Sequence, residues 1–342
     1  MNSRLYGGID LHSNNSMIVL LNESDEVVYQ KRLSNDLDEI LKALAPYKAA
    51  LQGVVIESTY NWYWQADGLQ EAGYKVHLAN TTAIQSYSGL KYTNDKHDGI
   101  WLARLLRLGI LAEGHIYPKE KRGLRELLRR RMILVRQQTM GLLGIQGMVT
   151  RYENVKLTAD KIKRSKDNGE QILRHIKDEH VCLAVQSQLK VLYCILDQVE
   201  TLEKEILAKI KDDKIFKLLQ TVPGIGPILA MTIMLETGEI TRFAEVGNYS
   251  SYCRCVESKR ISNGKKKGEN NRRNGNQYLG WAFIEATYHA IRHYDEIKCY
   301  YQRKLAKKKR VVALKAIANK LSRATFFILR DGVSFDMKKS FC

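Results

Sequence analysis

Apolar residues follow two rhythms along this chain. Over the first eighty residues they form short runs separated by polar turns. Tyr6-Gly-Gly-Ile-Asp-Leu-His-Ser13, Met17-Ile-Val-Leu-Leu21 and, after the turn Asn22-Glu-Ser-Asp25, Val27-Val-Tyr29 read as three strands of a meander. Leu37, Ile40, Leu41 and Leu44 then repeat at helical spacing. A buried strand, Gly53-Val-Val-Ile-Glu57, a Trp/Tyr-rich helix from Asn61 to Ala72 and the strand Lys75-Val-His-Leu-Ala79 follow, and a further helix is predicted through Ile100-Trp-Leu-Ala-Arg-Leu-Leu106.

From about Lys119 the period becomes helical throughout. Leu124, Leu127, Leu128, Met132, Leu134 and Val135 alternate with Arg125, Arg129, Arg130, Arg131 and Arg136, which predicts a long amphipathic basic helix. Leu183, Val185, Leu189, Leu192, Ile195, Val199, Leu202 and Ile206 predict a second one, from Val181 to Lys211, at near-heptad spacing. Such a coiled-coil hairpin serves as a solvated charged face over apolar packing, as a dimerising element with its basic face on nucleic acid, or as both. Beyond it, Pro223-Gly-Ile-Gly226 lies between two apolar helical runs. It reads either as a plain turn or as a helix-hairpin-helix whose Gly224 and Gly226 N–H groups face a phosphate. An apolar helix from Val311 to Leu329 closes the pattern. Three parts are expected: residues 1–118, α/β; 119–213, the helical hairpin; and 214–342, mostly helical.

Composition adds a partner. The 342 residues include 55 Lys+Arg against 37 Asp+Glu, a net charge of +18, within an ordinary globular composition of 44% hydrophobic and 27% charged residues. That excess points to DNA or RNA rather than to a membrane, since neither a long apolar run nor an amphipathic basic terminus is present. Met1-Asn-Ser-Arg-Leu-Tyr6 does not read as a signal peptide, and the six cysteines show no C-x-x-C spacing, so free thiols in a reducing cytoplasm are expected. Positive charge concentrates between Lys259 and Arg273, which hold seven Lys/Arg and one acid, Glu269. Gly264, Gly268 and Gly275 predict a loop there, with Lys265, Lys266, Lys267, Arg272 and Arg273 available to a phosphodiester. The loop either binds phosphate only or holds it against a serine hydroxyl.

Four carboxylates carry the candidate chemistry. Asp10 and Glu57 stand in apolar strands, where acids are rare and costly to bury unpartnered. Asp95 and Asp98, three residues apart, share one face of a helix start, where they serve as caps or as ligands. An all-oxygen set suits Mg²⁺ or Mn²⁺, and a two-metal site suits phosphoryl transfer. Three strands, helix, strand, helix, strand is also the element order of an RNase H-like (RuvC-like) sheet, in which acids gather on adjacent strand ends and one helix.

Taken together, these motifs resemble the DEDD-type transposases of a bacterial insertion-sequence family related to the Piv DNA invertases, over nearly the whole chain. Gly8-Ile-Asp10, Val55-Ile-Glu57 and Asn94-Asp-Lys-His-Asp-Gly99 stand in that family's order, with Gly99 where the family usually has Ala. Val222-Pro-Gly-Ile-Gly-Pro227, Gly238-Glu-Ile-Thr-Arg-Phe243, Tyr249-Ser-Ser-Tyr252 and Ser262-Asn-Gly264 match its second half. The resemblance implies that Asp10, Glu57, Asp95 and Asp98 are the catalytic metal ligands and that Ser262, with Ser258 as the nearby alternative, is a nucleophile forming a 5′-phosphoserine. It also implies donor and target DNA, a structured non-coding (bridge) RNA as guide, a dimer or tetramer, and a bacterial cytoplasmic setting. Ser262 is expected to reach the carboxylates from a neighbouring subunit. Two other readings compete: a RuvC-like structure-specific nuclease using water, and a non-catalytic nucleic-acid-binding protein, which four intact acids argue against.

Overall fold

The computed structural model describes residues 4–84, 95–165, 169–269, 271 and 274–341. The chain forms two compact units, Met1–Lys119 with Ser258–Asn274, and Glu120–Glu257 with Gly275–Cys342. The expected three-part division cuts the chain differently in two places. The basic serine segment packs with the N-terminal residues, and the long helices are continuous with the C-terminal ones.

The first unit runs β1 (Leu5–Leu11), β2 (Asn15–Leu21), β3 (Val27–Ser34), α1 (Leu37–Leu44), β4 (Leu51–Glu57), α2 (Tyr63–Glu71), β5 (Val76–Ala79), α3 (Asp95–Arg107) and the short β6 (Glu113–Gly114). The sheet order is β3-β2-β1-β4-β5-β6, with β1–β2–β3 antiparallel, β1, β4 and β5 parallel, and β6 antiparallel on the edge. Along the chain the elements follow the expected order of three strands, helix, strand, helix, strand, with the two-residue β6 added. Side chains alternate across a strand. Ile9, Leu11, Ile18, Leu20, Val54 and Ile56 therefore share one face, closed by Ile40 and Leu44 of α1 and Ala66 and Leu69 of α2. Met17, Val19, Leu21 and Val55 take the other face, under Leu102 and Ala103 of α3. Asp10 and Glu57 each follow a residue of the first set, so both stand on the α3 face. There α3 crosses β1 closer than side chains allow: a Cβ at Gly8 would lie 2.1 Å from the Gly99 carbonyl oxygen and 2.8 Å from the Ala103 nitrogen.

The basic segment was expected to be a loop rather than a helix; it is a β-hairpin, β7 (Arg260–Ser262) and β8 (Lys265–Gly268), with Ser262 opposite Lys265. Its turn residues Asn263 and Gly264 both have positive φ, 49° and 70°, the left-handed pair of a type I′ turn. Asn-Gly is the strongest short hairpin signal in a sequence. Counting glycines as loop formers concealed it.

The second unit is helical: α4 (Lys119–Glu153), α5 (Ala159–Arg164), α6 (Gly169–Leu173), α7 (Glu179–Ile210), α8 (Lys214–Leu219), α9 (Pro227–Thr237), α10 (Val246–Tyr252), α11 (Gln277–His293), α12 (Asp295–Leu305), α13 (Arg310–Asp331) and α14 (Met337–Phe341). Leu142, Ile145 and Val149 of α4 pack with Val185, Leu189 and Leu192 of α7, as the heptad spacing predicts. At the other end Leu128, Ile206 and Ile210 enter the core built by α8 to α13, which is why the hairpin does not separate. No described helix is long and apolar enough to cross a membrane. Cys253 and Cys255 are free and buried, and burial pushes the Cys255 thiol up to about 12, leaving it inert at neutral pH.

Gly224 shows what the Pro-Gly-Ile-Gly turn needs. Its φ is +80°, and a Cβ there would lie 2.1 Å from the Ala286 carbonyl oxygen and 2.8 Å from the Ala290 nitrogen on α11. Gly224→Ala is expected to destabilise this unit by about 3 kcal/mol or more, through backbone overlap and a strained left-handed residue. Gly226 caps α9 at φ −86° with open space around it among the described residues. Gly226→Ala is expected to cost about 1 kcal/mol or less. Denaturant midpoints of the two variants check the contrast, and equal shifts would remove the packing account.

Candidate active site

Asp10 lies near the end of β1 and Glu57 ends β4, with Ile9 paired to Ile56 across the parallel ladder. The two carboxylates are thus side by side on one face, and α3 brings its first turn, Asp95 and Asp98, onto that face. Asp10 is only 3% exposed. Burial, then the Asp10 carboxyl and the Asp98 charge, push Glu57 up to about 7. Burial, then Asp10 and Asp95, raise Asp98 as well. Asp95 moves the other way, held below the usual carboxylate range chiefly by a hydrogen bond from Arg32 of β3. Burial leads both elevations, and the neighbouring carboxylates that add to them place like charges close together. A divalent cation between them would relieve their repulsion, so this donor set fits the hard cation its oxygens imply.

His12 was overlooked in the sequence. Its Nε2 lies 3.2 Å from Asp10 Oδ2 and 3.3 Å from Asp95 Oδ2. The signal was its position two residues beyond Asp10, which in extended chain returns to the same side. Two amides fix its backbone: Asn35 Nδ2 and Asn61 Nδ2 donate to the His12 carbonyl at 3.0 and 3.1 Å. Ser16 Oγ donates to Asn35 Oδ1 at 2.7 Å, and Thr59 Oγ1 to Asn61 Oδ1 at 2.9 Å. These partners are 23 and 49 residues from His12, beyond the reach of motif spacing.

The β7–β8 hairpin belongs to the same compact unit as the carboxylates. Asn271 Nδ2 donates to the Thr82 carbonyl, and Asn274 lies 3.5 Å from Asn80, in the segment that follows β5. β5 pairs with β4 through Ala79 and Glu57, so this anchor follows the same strand ends at which Glu57 sits. Ser262 is exposed, Ser258 half-buried. Directly paired residues point the same way, so Ser262 shares a face with Lys265 and Lys267, while Lys266 opposes Ile261.

The other expected nucleic-acid contacts divide. Arg136 is exposed on α4. Arg125 is 8% exposed, and Arg129 forms a two-bond ion pair at 2.6 and 2.8 Å with Glu236, itself 1% exposed, so both turn inward. Asn276 Nδ2 donates to the same carboxylate at 2.7 Å while its Oδ1 caps α11. Gly224 is consumed by packing on α11. Arg272 and Arg273 lie outside the described residues.

Comparison with known proteins bears on the same two segments. Residues 7–154 match a transposase model, the DEDD domain of IS110. Residues 216–302 match the transposase IS116/IS110/IS902 family. A probable family 20 transposase of Pseudomonas aeruginosa is 22% identical over 343 residues, spanning 94% of this chain and 96% of the relative. An uncharacterized 43.6 kDa protein of insertion element IS110 from Streptomyces coelicolor is 25% identical over 157 residues, 46% of this chain and 39% of that protein's length. The chain thus carries, in this order, two transposase domains of IS110 type and is homologous to insertion-sequence transposases.

Proposed function

We propose that the chain cuts and rejoins DNA by metal-assisted phosphoryl transfer, with Ser262 as nucleophile and a structured RNA as guide. The observation that carries this reading is the gathering of Asp10, Glu57, Asp95 and Asp98 on one face of the sheet, where burial and neighbouring charge raise Glu57 and Asp98. The four side chains would hold Mg²⁺ or Mn²⁺, which when bound supplies Lewis-acid polarisation of the scissile phosphodiester. The Ser262 Oγ–P bond forms as the P–O3′ bond breaks; the hydroxyl proton passes to water and the leaving O3′ takes one up. The products are a 5′-phosphoserine and a free 3′-hydroxyl. Attack by another 3′-hydroxyl restores the serine and rejoins the strand. Lys265 and Lys267, on the hydroxyl's face of the hairpin, balance charge on the phosphate. Lys266 on the hairpin and Arg136 on α4 are each available to backbone phosphates. The guide RNA and the donor and target DNA rest on the family resemblance and on the net charge of +18.

A second reading has one observation in its favour. The Asn263-Gly264 turn accounts for the Ser-x-Gly sequence without catalysis, which suits a RuvC-like nuclease attacking with water. An adduct assay separates the two. DNA spanning the element's ends, with RNA transcribed from its flank, is incubated with protein and Mg²⁺, then run under denaturing conditions. The wild type is expected to leave a covalent protein–DNA band. Ser262→Ala and Asp10→Ala are expected to leave none while still binding DNA. Cleavage without any adduct in the wild type selects the nuclease, and an adduct in Ser262→Ala transfers the role to Ser258. Mixing the two variants asks whether serine and carboxylates act within one chain, as their shared compact unit favours, or between subunits, where activity would return.

A further inference from the structure

Beside the carboxylates lies a nitrogen that an all-oxygen site does not need. His12 Nε2, Asp10 Oδ2 and an Asp95 carboxylate oxygen all fall within 4.8 Å of one another. The separations from the nitrogen, 3.2 and 3.3 Å, are short enough for hydrogen bonds. Yet these contacts are ion pairs in which neither Asp10 Oδ2 nor His12 Nε2 meets hydrogen-bond geometry, and both atoms are buried. A buried carboxylate oxygen whose close contact is poorly aligned, on a side chain 3% exposed, is costly. A proton on Nε2 would repair that only if the ring aimed it at an oxygen. A lone pair on Nε2 would instead converge with the oxygens on a shared ion. Donors on adjacent positions of one ion, with bonds of about 2.1 Å, sit about 3.0 Å apart. The observed spacing is close to that. The bond from Arg32 to Asp95 leaves that carboxylate further lone pairs to offer. The two amides on the His12 carbonyl hold the ring's backbone in place before any ion arrives.

We propose that His12 Nε2 is a ligand of the divalent cation, forming with Asp10 and Asp95 a mixed nitrogen–oxygen half of the site that favours Mn²⁺ over Mg²⁺. This rests on the tetrad being a metal site, with Glu57 and Asp98 as its all-oxygen remainder. Imidazole suits the first-row transition ions, whereas Mg²⁺ prefers oxygen and keeps its water.

The test uses the full-length protein without nucleic acid. Mn²⁺ is titrated by electron paramagnetic resonance, Mg²⁺ by competition, and spin-echo modulation reads nitrogen on bound Mn²⁺. The wild type is expected to show nitrogen modulation. His12→Ala is expected to lose it, to bind Mn²⁺ at least about tenfold more weakly and to change Mg²⁺ affinity by less than about threefold. Melting in EDTA verifies folding, and His12→Asn replaces the Ala variant if that one is unfolded. Mn²⁺ bound to the wild type without nitrogen modulation, or with unchanged affinity in the folded variant, overturns the proposal. If Asp10→Asn abolishes binding in that case, the carboxylate site survives without His12. No binding of either ion to the wild type removes both.

Discussion

Gly8→Ala is expected to lower strand cleavage at least about 100-fold and to cost the first compact unit about 3 kcal/mol or more. The added methyl would sit 2.1 Å from a backbone oxygen and 2.8 Å from a backbone nitrogen of α3. Backbone cannot rotate aside as a side chain can, so the helix must lift off the strand. That helix carries Asp95 and Asp98, and the strand carries Asp10. A displacement of about 1 Å between them would spoil the alignment that the proposed site requires. Gly7→Ala is the matched control. Its Cβ would meet side-chain methyls of Val54 and Leu20 at 3.2 and 3.3 Å, which can give slightly. Cleavage, DNA binding and melting temperature are measured on both variants. Wild-type cleavage by Gly8→Ala would show that the close crossing does not position the site.

In EDTA, stability is expected to fall as pH rises from about 4.5 through about 7, the range set by Glu57. The sign follows from proton counts. Below the lower value both states hold the proton. Between the two values the unfolded chain releases it while the folded chain keeps it, so raising pH favours unfolding. Asp98 acts in the same direction, and Asp95, held low by Arg32, in the opposite one, losing its contribution only in acid. Water reaching the half-buried Glu57 screens part of the effect, leaving a decline on the order of 3 °C in melting temperature between pH 5 and pH 8. Glu57→Gln is expected to flatten it. Mn²⁺ or Mg²⁺ is expected to raise the melting temperature more at pH 8 than at pH 5, because ligands must be deprotonated. A pH-independent response to the ions would contradict a cation among these acids.

Much of this was legible because strand periodicity is rigid. Once Ile9 and Ile56 are core, Asp10 and Glu57 must share the opposite face, and the sequence states both. Helical periodicity held a warning that was available but unheeded. Arg125 precedes buried Leu128 by three positions, and Arg129 precedes buried Met132 by three, so both arginines lie on the inward stripe of α4. Their partners were not legible. Glu236 stands out as an acid in the apolar helix α9, which announces a buried partner but not that it is Arg129, 107 residues earlier. The two amides beneath His12 are of the same kind: side chains joined by sheet topology rather than by spacing.

The crossing of α3 over the sheet also sets terms for exchanging parts between relatives. A Cβ at Gly99 would come within 2.9 Å of the Val19 Cγ2 methyl on β2, a side chain with no exposure. Alanine, the usual residue at this position in the family that the chain resembles, therefore does not fit here against valine. Positions 19 and 99 share one allotment of volume, so a methyl gained at one must be surrendered at the other. A chimaera that imports α3 from an alanine-bearing relative is therefore expected to need a smaller residue at position 19 as well.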